Sequence, residues 1–278
     1  METLELRQKA NRIRHLILET VFQAKSGHLG GSLSAADIFA CLYGQVLRID
    51  PQNPEWGERD RFVLSKGHAT PAYYATLAEF GFFPKEELGT FRSLGSRLQG
   101  HPDCKHTPGV DMSSGSLGQG ISMAVGMALG AKMQGLPICV YVLLGDGELE
   151  EGQVWEALMF AGNRKLDNLV VIIDNNDLQC DGHLAEVNSP DPIDKKLEAF
   201  HFHVKTADGH HMEELVEAFE IAKRSSGKPF ALIAKTVKGK GVSFMENQAG
   251  WHGKVPDAMQ YEQAVKELER AGEALCGK

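Results

Sequence analysis

Asp146 stands between two glycines directly after the apolar run Ile138-Cys139-Val140-Tyr141-Val142-Leu143-Leu144. One helix and one strand further on, the run from Leu169 to Ile173 ends on Asp174-Asn175-Asn176. The first run has the character of a buried parallel strand, apolar at nearly every position. Ligands of open parallel sheets lie outside the carboxyl ends of the strands, so adjacent strands would bring Asp146 and Asn176 together there. A carboxylate, an amide oxygen and nearby loop carbonyls make a hard-oxygen set suited to Mg2+ or Ca2+, with positions left for phosphate oxygens. Gly145 and Gly147 let backbone approach a ligand closely. Gly147 and the helix start behind it offer N–H groups to a diphosphate. Taken alone, Gly-Asp-Gly also suits an ordinary strand–turn–helix connection.

Five histidines, at 28, 68, 101, 183 and 210, each follow a glycine, which places them on loops. The elements that must carry them follow from periodicity. Helices are predicted over 3–25, closed by Gly27, and over 35–47, capped by Ser34. A short strand at 61–64 leads into Ser65-Lys66-Gly67-His68 and a helix through Tyr73 and Phe80. Residues 81–116 have little regular pattern and contain Arg92, Gly100-His101-Pro102 and Ser113-Ser114-Gly115-Ser116; a surface loop of this length in a compact domain is usually functional. A helix rich in Ala and Gly then runs from Leu117-Gly118-Gln119-Gly120 to Met133, suited either to tight internal packing or to a subunit contact. The helix after Gly147 carries Val154, Trp155, Leu158, Met159 and Gly162 on one stripe. Loop 179–199, a strand at 202–206, a helix at 212–226, a strand at 230–236, a Gly/Lys-rich loop from Lys238 to Gly253 and a helix over 257–275 complete the chain. Helices alternating with strands predict an α/β fold, a mostly parallel sheet with helices on both faces. All 278 residues are expected to form one domain closed by the C-terminal helix, without repeat or linker.

Bulk properties bound the function. The formal charge of −8 argues against a nucleic-acid surface. No apolar run approaches the roughly 20 residues of a membrane span. The start, METLELRQKANRIRH, reads as a charged amphipathic helix and not as a secretory signal. Cysteines 41, 104, 139, 180 and 276 form no CxxC pair, which points to reduced, cytoplasmic thiols.

Ser26-Gly27-His28, Leu64-Ser65-Lys66-Gly67-His68, Gly100-His101-Pro102, Gly115-Ser116-Leu117-Gly118-Gln119-Gly120 and Gly145-Asp146-Gly147 occur in the order seen in transketolases. Glu150-Glu151-Gly152, Asp174-Asn175-Asn176, Asp181-Gly182-His183 and Trp251-His252-Gly253 extend the match to nearly the whole chain. The chain resembles the diphosphate-binding, N-terminal part of a transketolase, with the thiamine diphosphate-binding fold. The resemblance implies that Asp146, Asn176 and the Leu178 carbonyl ligate the metal, Mg2+ or Ca2+. It places Gly145, Gly147, His68 and His252 at the diphosphate, the two histidines also near the reacting sugar. Gly115, Ser116 and Leu117 would supply backbone contacts to the pyrimidine side of the cofactor. His28 and His101, with His252, would hydrogen-bond the ketose donor. Glu151 would join an acidic network between active sites, and Arg92 matches a substrate-channel arginine. Five residues are thereby implied to be catalytic: His28, His68, His101, His252 and Glu151.

Complete transketolases carry a second α/β domain, whose glutamate protonates the aminopyrimidine, and a third domain. This sequence stops at Lys278, soon after its last motif. The expectation is therefore one half of a split transketolase, active only with a separate C-terminal subunit in an α2β2 assembly. Deoxyxylulose-phosphate synthases, 2-oxo acid dehydrogenase subunits and a non-catalytic cofactor-binding homologue are the alternatives. His28 and His101, together with His252, favour a sugar donor over pyruvate.

Overall fold

In the computed structural model, which describes residues 1–277, the elements occur in this order. Helices α1 (Thr3–Ala24), α2 (Gly30–Ser34) and α3 (Ala36–Cys41), the last running into a π turn at Leu42–Val46, precede strand β1 (Arg61–Leu64) and helix α4 (Thr70–Glu79). Next come α5 (Gln119–Gln134), β2 (Val140–Gly145), α6 (Gly152–Asn163) and β3 (Leu169–Asn175). The chain closes with α7 (Leu184–Val187), α8 (Ile193–Ala199), β4 (His203–Asp208), α9 (Met212–Arg224), β5 (Phe230–Lys235) and α10 (Ala258–Leu275). The five strands make one all-parallel sheet in the order β1-β2-β3-β5-β4.

Side chains alternate across a strand, and both faces of this sheet are apolar, so both must be covered. Val140, Val142 and Leu144 of β2, with Val171 and Ile173 of β3, pack with Ile121, Ala124 and Ala128 of α5, Val154 and Leu158 of α6, and Leu197 of α8. Tyr141 and Leu143, with Val170 and Ile172, face the other way, into a cluster formed with α1, α3, α4 and α9. The expected parallel sheet with helices on both faces is the one found.

Local expectations fare unevenly. Lys25, and not Gly27, takes the left-handed position that ends α1. Ser34 does not cap α3; it lies at the end of α2, buried, with its hydroxyl on Asp174 Oδ2 at 2.6 Å. The tract 179–199 contains α7 and α8, too short to register as a period. The fourth strand begins one residue later than expected and runs two residues further, to Asp208. Met159 departs from the buried stripe of α6 and is half exposed, whereas Val154, Leu158 and Gly162 are buried. In α5 the alanines point inward, while Gly126 and Gly130 have no neighbour within 4 Å of where a Cβ would stand. Among the described residues, no helix is long and apolar enough to cross a membrane.

Candidate active site

The site is built where β1, β2, β3 and β5 end side by side. The register pairs Gly145 with Asp174 and Asn175 with Lys235, so the loops leaving β2, β3 and β5 start at one level. They enclose a cavity of about 310 Å3, lined by Leu117, Gly145, Asp146, Gly147, Glu151, Asn176, Leu178, His68 and His252 among others. Nine of the residues singled out from the sequence thus converge on one space.

Asp146 is buried, and its carboxylate is held by two backbone N–H groups and one side-chain amide. Oδ1 accepts from the Gly147 N–H at 2.9 Å, and Oδ2 accepts from Asp177 N–H at 2.6 Å and Asn175 Nδ2 at 3.0 Å. Burial, reinforced by the Asp174 carboxylate, pushes its pKa up to about 6. A carboxylate in that position gains from a cation. Asn176 Oδ1 accepts only a long bond, 3.3 Å from Leu178 N. The Leu178 carbonyl accepts from Lys238 Nζ at 3.1 Å. One carboxylate, one amide oxygen and one carbonyl, already visited by an ammonium group, form a donor set that fits Mg2+ or Ca2+. Among the described residues no three His, Cys, Asp or Glu side chains gather as a metal cluster, as befits a set with a single acid.

Below this set lies a second carboxylate. Asp174 is fully buried and ion-paired with Lys66, whose Nζ also donates to the Gly31 carbonyl at 2.7 Å. Ser34 and Thr236 hydroxyls donate to Asp174 as well. Burial alone would raise the Asp174 pKa, but Lys66 and these donors hold it below the ordinary value. Glu148 performs a related task two residues after Asp146: it accepts from the Gly118 N–H at 2.8 Å, the Gly145 N–H at 3.1 Å and the Ser65 hydroxyl. Three loops of the site are thereby tied to one side chain.

His28, His68 and His252 form a cluster at the cavity's edge. Ring centroids are 5.3 Å apart for His28–His68, 5.3 Å for His28–His252 and 4.9 Å for His68–His252. All three are shifted toward the neutral form. Burial lowers His68, with help from the Lys66 charge; burial and Lys238 lower His252 to about 4; burial and Arg92 lower His28. Nδ1 of His28 and Nδ1 of His252 are buried without a hydrogen-bond partner. Buried polar atoms in native proteins are normally satisfied, so two unpaired imidazole nitrogens in one cluster stand out.

His101, Arg92, Gly115 and Ser116 do not line the cavity but lie on the loop beside it. The turn at Gly67 and the turn at Gly115 touch so closely that a Cβ on Gly67 would be 2.7 Å from Gly115 N. A Cβ on Gly115 would in turn meet the His101 ring at 3.2 Å. His101 is exposed, and its pKa is lowered by partial burial and by Arg92. Arg92 donates to Ser26 Oγ at 2.9 Å, which closes the ring of loops back to His28. Glu151 sits at the N-cap of α6, exposed at the rim.

Sequence reasoning assigned no role to Lys66, Lys238, Asp174 or Glu148. Lys238 was visible only as part of a Gly/Lys-rich loop; nothing in that composition says that the residue is 2% exposed. Burial lowers the Lys238 pKa to about 8, Lys66 adding to the effect and Asp146 opposing it.

The family model described as "Transketolase, thiamine diphosphate binding domain" matches residues 6–271. The chain is 48% identical over 271 residues to the 6-deoxy-6-sulfo-D-fructose transketolase subunit SqwG of Clostridium sp., covering 98% of each. It is 44% identical over 275 residues to an apulose-4-phosphate transketolase subunit of Phocaeicola vulgatus, covering 99% of this chain and 97% of that one. Among solved structures, the transketolase of Campylobacter jejuni superposes with a TM-score of 0.92 at 36% identity. That likeness covers 98% of this chain but only 43% of the solved one.

Proposed function

The chain belongs to the transketolase family, in the part that binds thiamine diphosphate, and from that premise we propose that it is the diphosphate-side half of a split transketolase. It would transfer a two-carbon ketol unit from a ketose to an aldose, working with a separate C-terminal subunit in an α2β2 assembly. Relatives named as subunits match it end to end, and a full-length transketolase extends well beyond it. The observation that carries the reading is one cavity holding Asp146, Asn176 and Leu178 beside neutral, unpartnered histidines.

In this reading Asp146, Asn176 and the Leu178 carbonyl would hold Mg2+ for the cofactor's diphosphate. Gly147, His68, His252 and Lys238 would serve the diphosphate itself. Backbone at Gly115, Ser116 and Leu117 would supply contacts to the pyrimidine side. Thiamine diphosphate, when bound, supplies a nucleophilic thiazolium carbon and an electron sink for C–C cleavage. The protein's own task is positioning and proton handling. A neutral imidazole presents one donor and one acceptor, so His28 and His101 can orient the donor's hydroxyls and take or return a proton as its carbonyl oxygen changes charge. Burial and the nearby cations keep those rings in that state. Arg92, exposed beside His101, would reach an anionic substrate end. Glu151, at the rim, would take part in the acidic link to a second active site. The scattered free thiols accord with a cytoplasmic enzyme.

The test is donor half-reaction turnover of the purified chain, alone and mixed with a candidate C-terminal subunit, in thiamine diphosphate and Mg2+. Xylulose 5-phosphate, a sulfofructose and apulose 4-phosphate serve as trial donors, the latter two prompted by the relatives' names. Turnover only in the mixture is expected. Turnover by this chain alone would overturn the split-site reading.

A further inference from the structure

Asp208-Gly209-His210, at the carboxyl end of β4, lies outside the cavity and has no part in the reading above. Its geometry is nonetheless specific. Gly209 N–H donates to the Lys235 carbonyl at 2.7 Å, and a Cβ on Gly209 would stand 2.4 Å from Thr236 Cγ2. Only glycine lets the end of β4 lie this close to the chain leaving β5. Asp208 Oδ1 accepts from His210 N–H at 2.8 Å, which turns His210 inward.

The imidazole then bridges two groups. Nε2 accepts from the Val237 N–H at 2.8 Å, so the ring proton is on Nδ1, directed at Asp37 Oδ2 2.7 Å away. Asp37, on α3, is buried and also gripped by the guanidinium of Arg14 from α1. Arg14 Nε donates to the Lys240 carbonyl at 3.1 Å. Val237 and Lys240 stand on either side of Lys238, and Gly239 N–H is fixed on the Gly30 carbonyl at 3.0 Å. The backbone around Lys238 is thus clamped at three points, two of them leading to one buried acid.

We propose that His210, Asp37 and Arg14 are a positioning triad that sets the backbone around Lys238 and so directs its ammonium into the diphosphate cavity. The inference rests on the reading that Lys238 faces the diphosphate. Asp37 is the hub, a largely buried carboxylate paired with a guanidinium and hydrogen-bonded to an imidazole. The triad touches no cofactor or substrate itself; it acts through Lys238.

A double-mutant cycle tests this on the full chain, with calorimetric titration by inorganic pyrophosphate in the presence of Mg2+ as the probe. Lys238→Met and His210→Phe should each weaken binding, His210→Phe by about five- to tenfold, the worth of one well-placed hydrogen bond and the contact it controls. In the Lys238→Met background His210→Phe should cost little more, because contacts that act through one group are not additive. His210→Gln, which retains an acceptor and a donor, should stay near wild type. Arg14→Met probes the Lys240 clamp without touching the ring, and should follow His210→Phe should that variant not fold. Equal losses from His210→Phe in both backgrounds would make the triad a general brace and overturn the proposal, as would wild-type affinity in His210→Phe. Wild-type affinity in Lys238→Met, or no probe binding by the wild-type chain, would instead refute the diphosphate reading beneath it.

Discussion

Removing Lys66 tests whether charge pairing under the cavity holds this end of the sheet together. The side chains of Lys66 and Asp174 are 2% and 0% exposed, and Lys66 is the partner that most favours the ionised form of Asp174. In Lys66→Met the apolar stem keeps its volume, but a buried carboxylate loses its counter-ion and the Gly31 carbonyl loses its donor. Breaking such a pair from one side costs about 3–5 kcal/mol, because the remaining charge stays desolvated. At about 2–4 °C per kcal/mol for a chain of this size, the thermal midpoint should fall by about 6–20 °C. The double variant Lys66→Met/Asp174→Asn removes the stranded charge; the amide oxygen keeps an acceptor for one of the Ser34 and Thr236 hydroxyls, and the other hydroxyl can turn to accept from the amide NH2. It should therefore recover part of the loss, with a coupling of about 2 kcal/mol or more. Scanning calorimetry of wild type, both single variants and the double variant reads all four corners. A Lys66→Met midpoint within about 2 °C of wild type, or losses that simply add, would refute the argument.

Other expectations are open to direct measurement. Glu79 ties α1 to α4: Lys9 Nζ at 2.8 Å, Arg12 Nε at 2.9 Å and Lys85 at 2.5 Å surround a carboxylate that burial alone would raise but that these cations hold at about 2. A depressed carboxylate stabilises above its unfolded pKa, near 4.3, and that contribution is lost as pH falls toward 2. Glu79→Gln should cost about 1–2 kcal/mol at pH 7, discounted because Arg12 and Lys85 are half exposed, and the gap to wild type should shrink by pH 3; a gap independent of pH would reject the pairing. Asp146→Ala should abolish Mg2+-dependent binding of thiamine diphosphate by the assembled enzyme, and an unchanged affinity would remove Asp146 from the metal set. His101→Ala should slow donor cleavage by about tenfold or more while cofactor affinity stays within about twofold, since the ring lies outside the cavity. Unaltered donor kinetics would leave His101 without that role.

The sheet was legible because buried parallel strands are short apolar runs, and the runs ending on Asp146 and Asn176 are among the clearest in the chain. Their adjacency followed from β2 and β3 being consecutive. What eluded the sequence depends on pairing between distant segments. Ser34 precedes a helical run, the same signal whether it caps that helix or donates to an acid 140 residues away. Lys66 carries no mark that distinguishes a surface lysine from one buried against Asp174. Lys238 reaches Leu178 only because β5 inserts between β3 and β4, so the loop after β5 opens beside the loop after β3.

That strand order also accounts for the electrostatics of the site. β1 beside β2 sets Lys66 under Gly145, and β5 beside β3 sets Lys238 against the Leu178 carbonyl. The two ammonium groups lie among the residues lining the cavity, where an anion such as a diphosphate gains from them. The same charges, added to burial, hold His68 and His252 neutral. Attraction of phosphate and part of the shift toward unprotonated imidazole therefore share a source. A chain with histidines and glycines in the same places but without Lys66 and Lys238 would lose the attraction, while burial would still hold the imidazoles below their ordinary pKa.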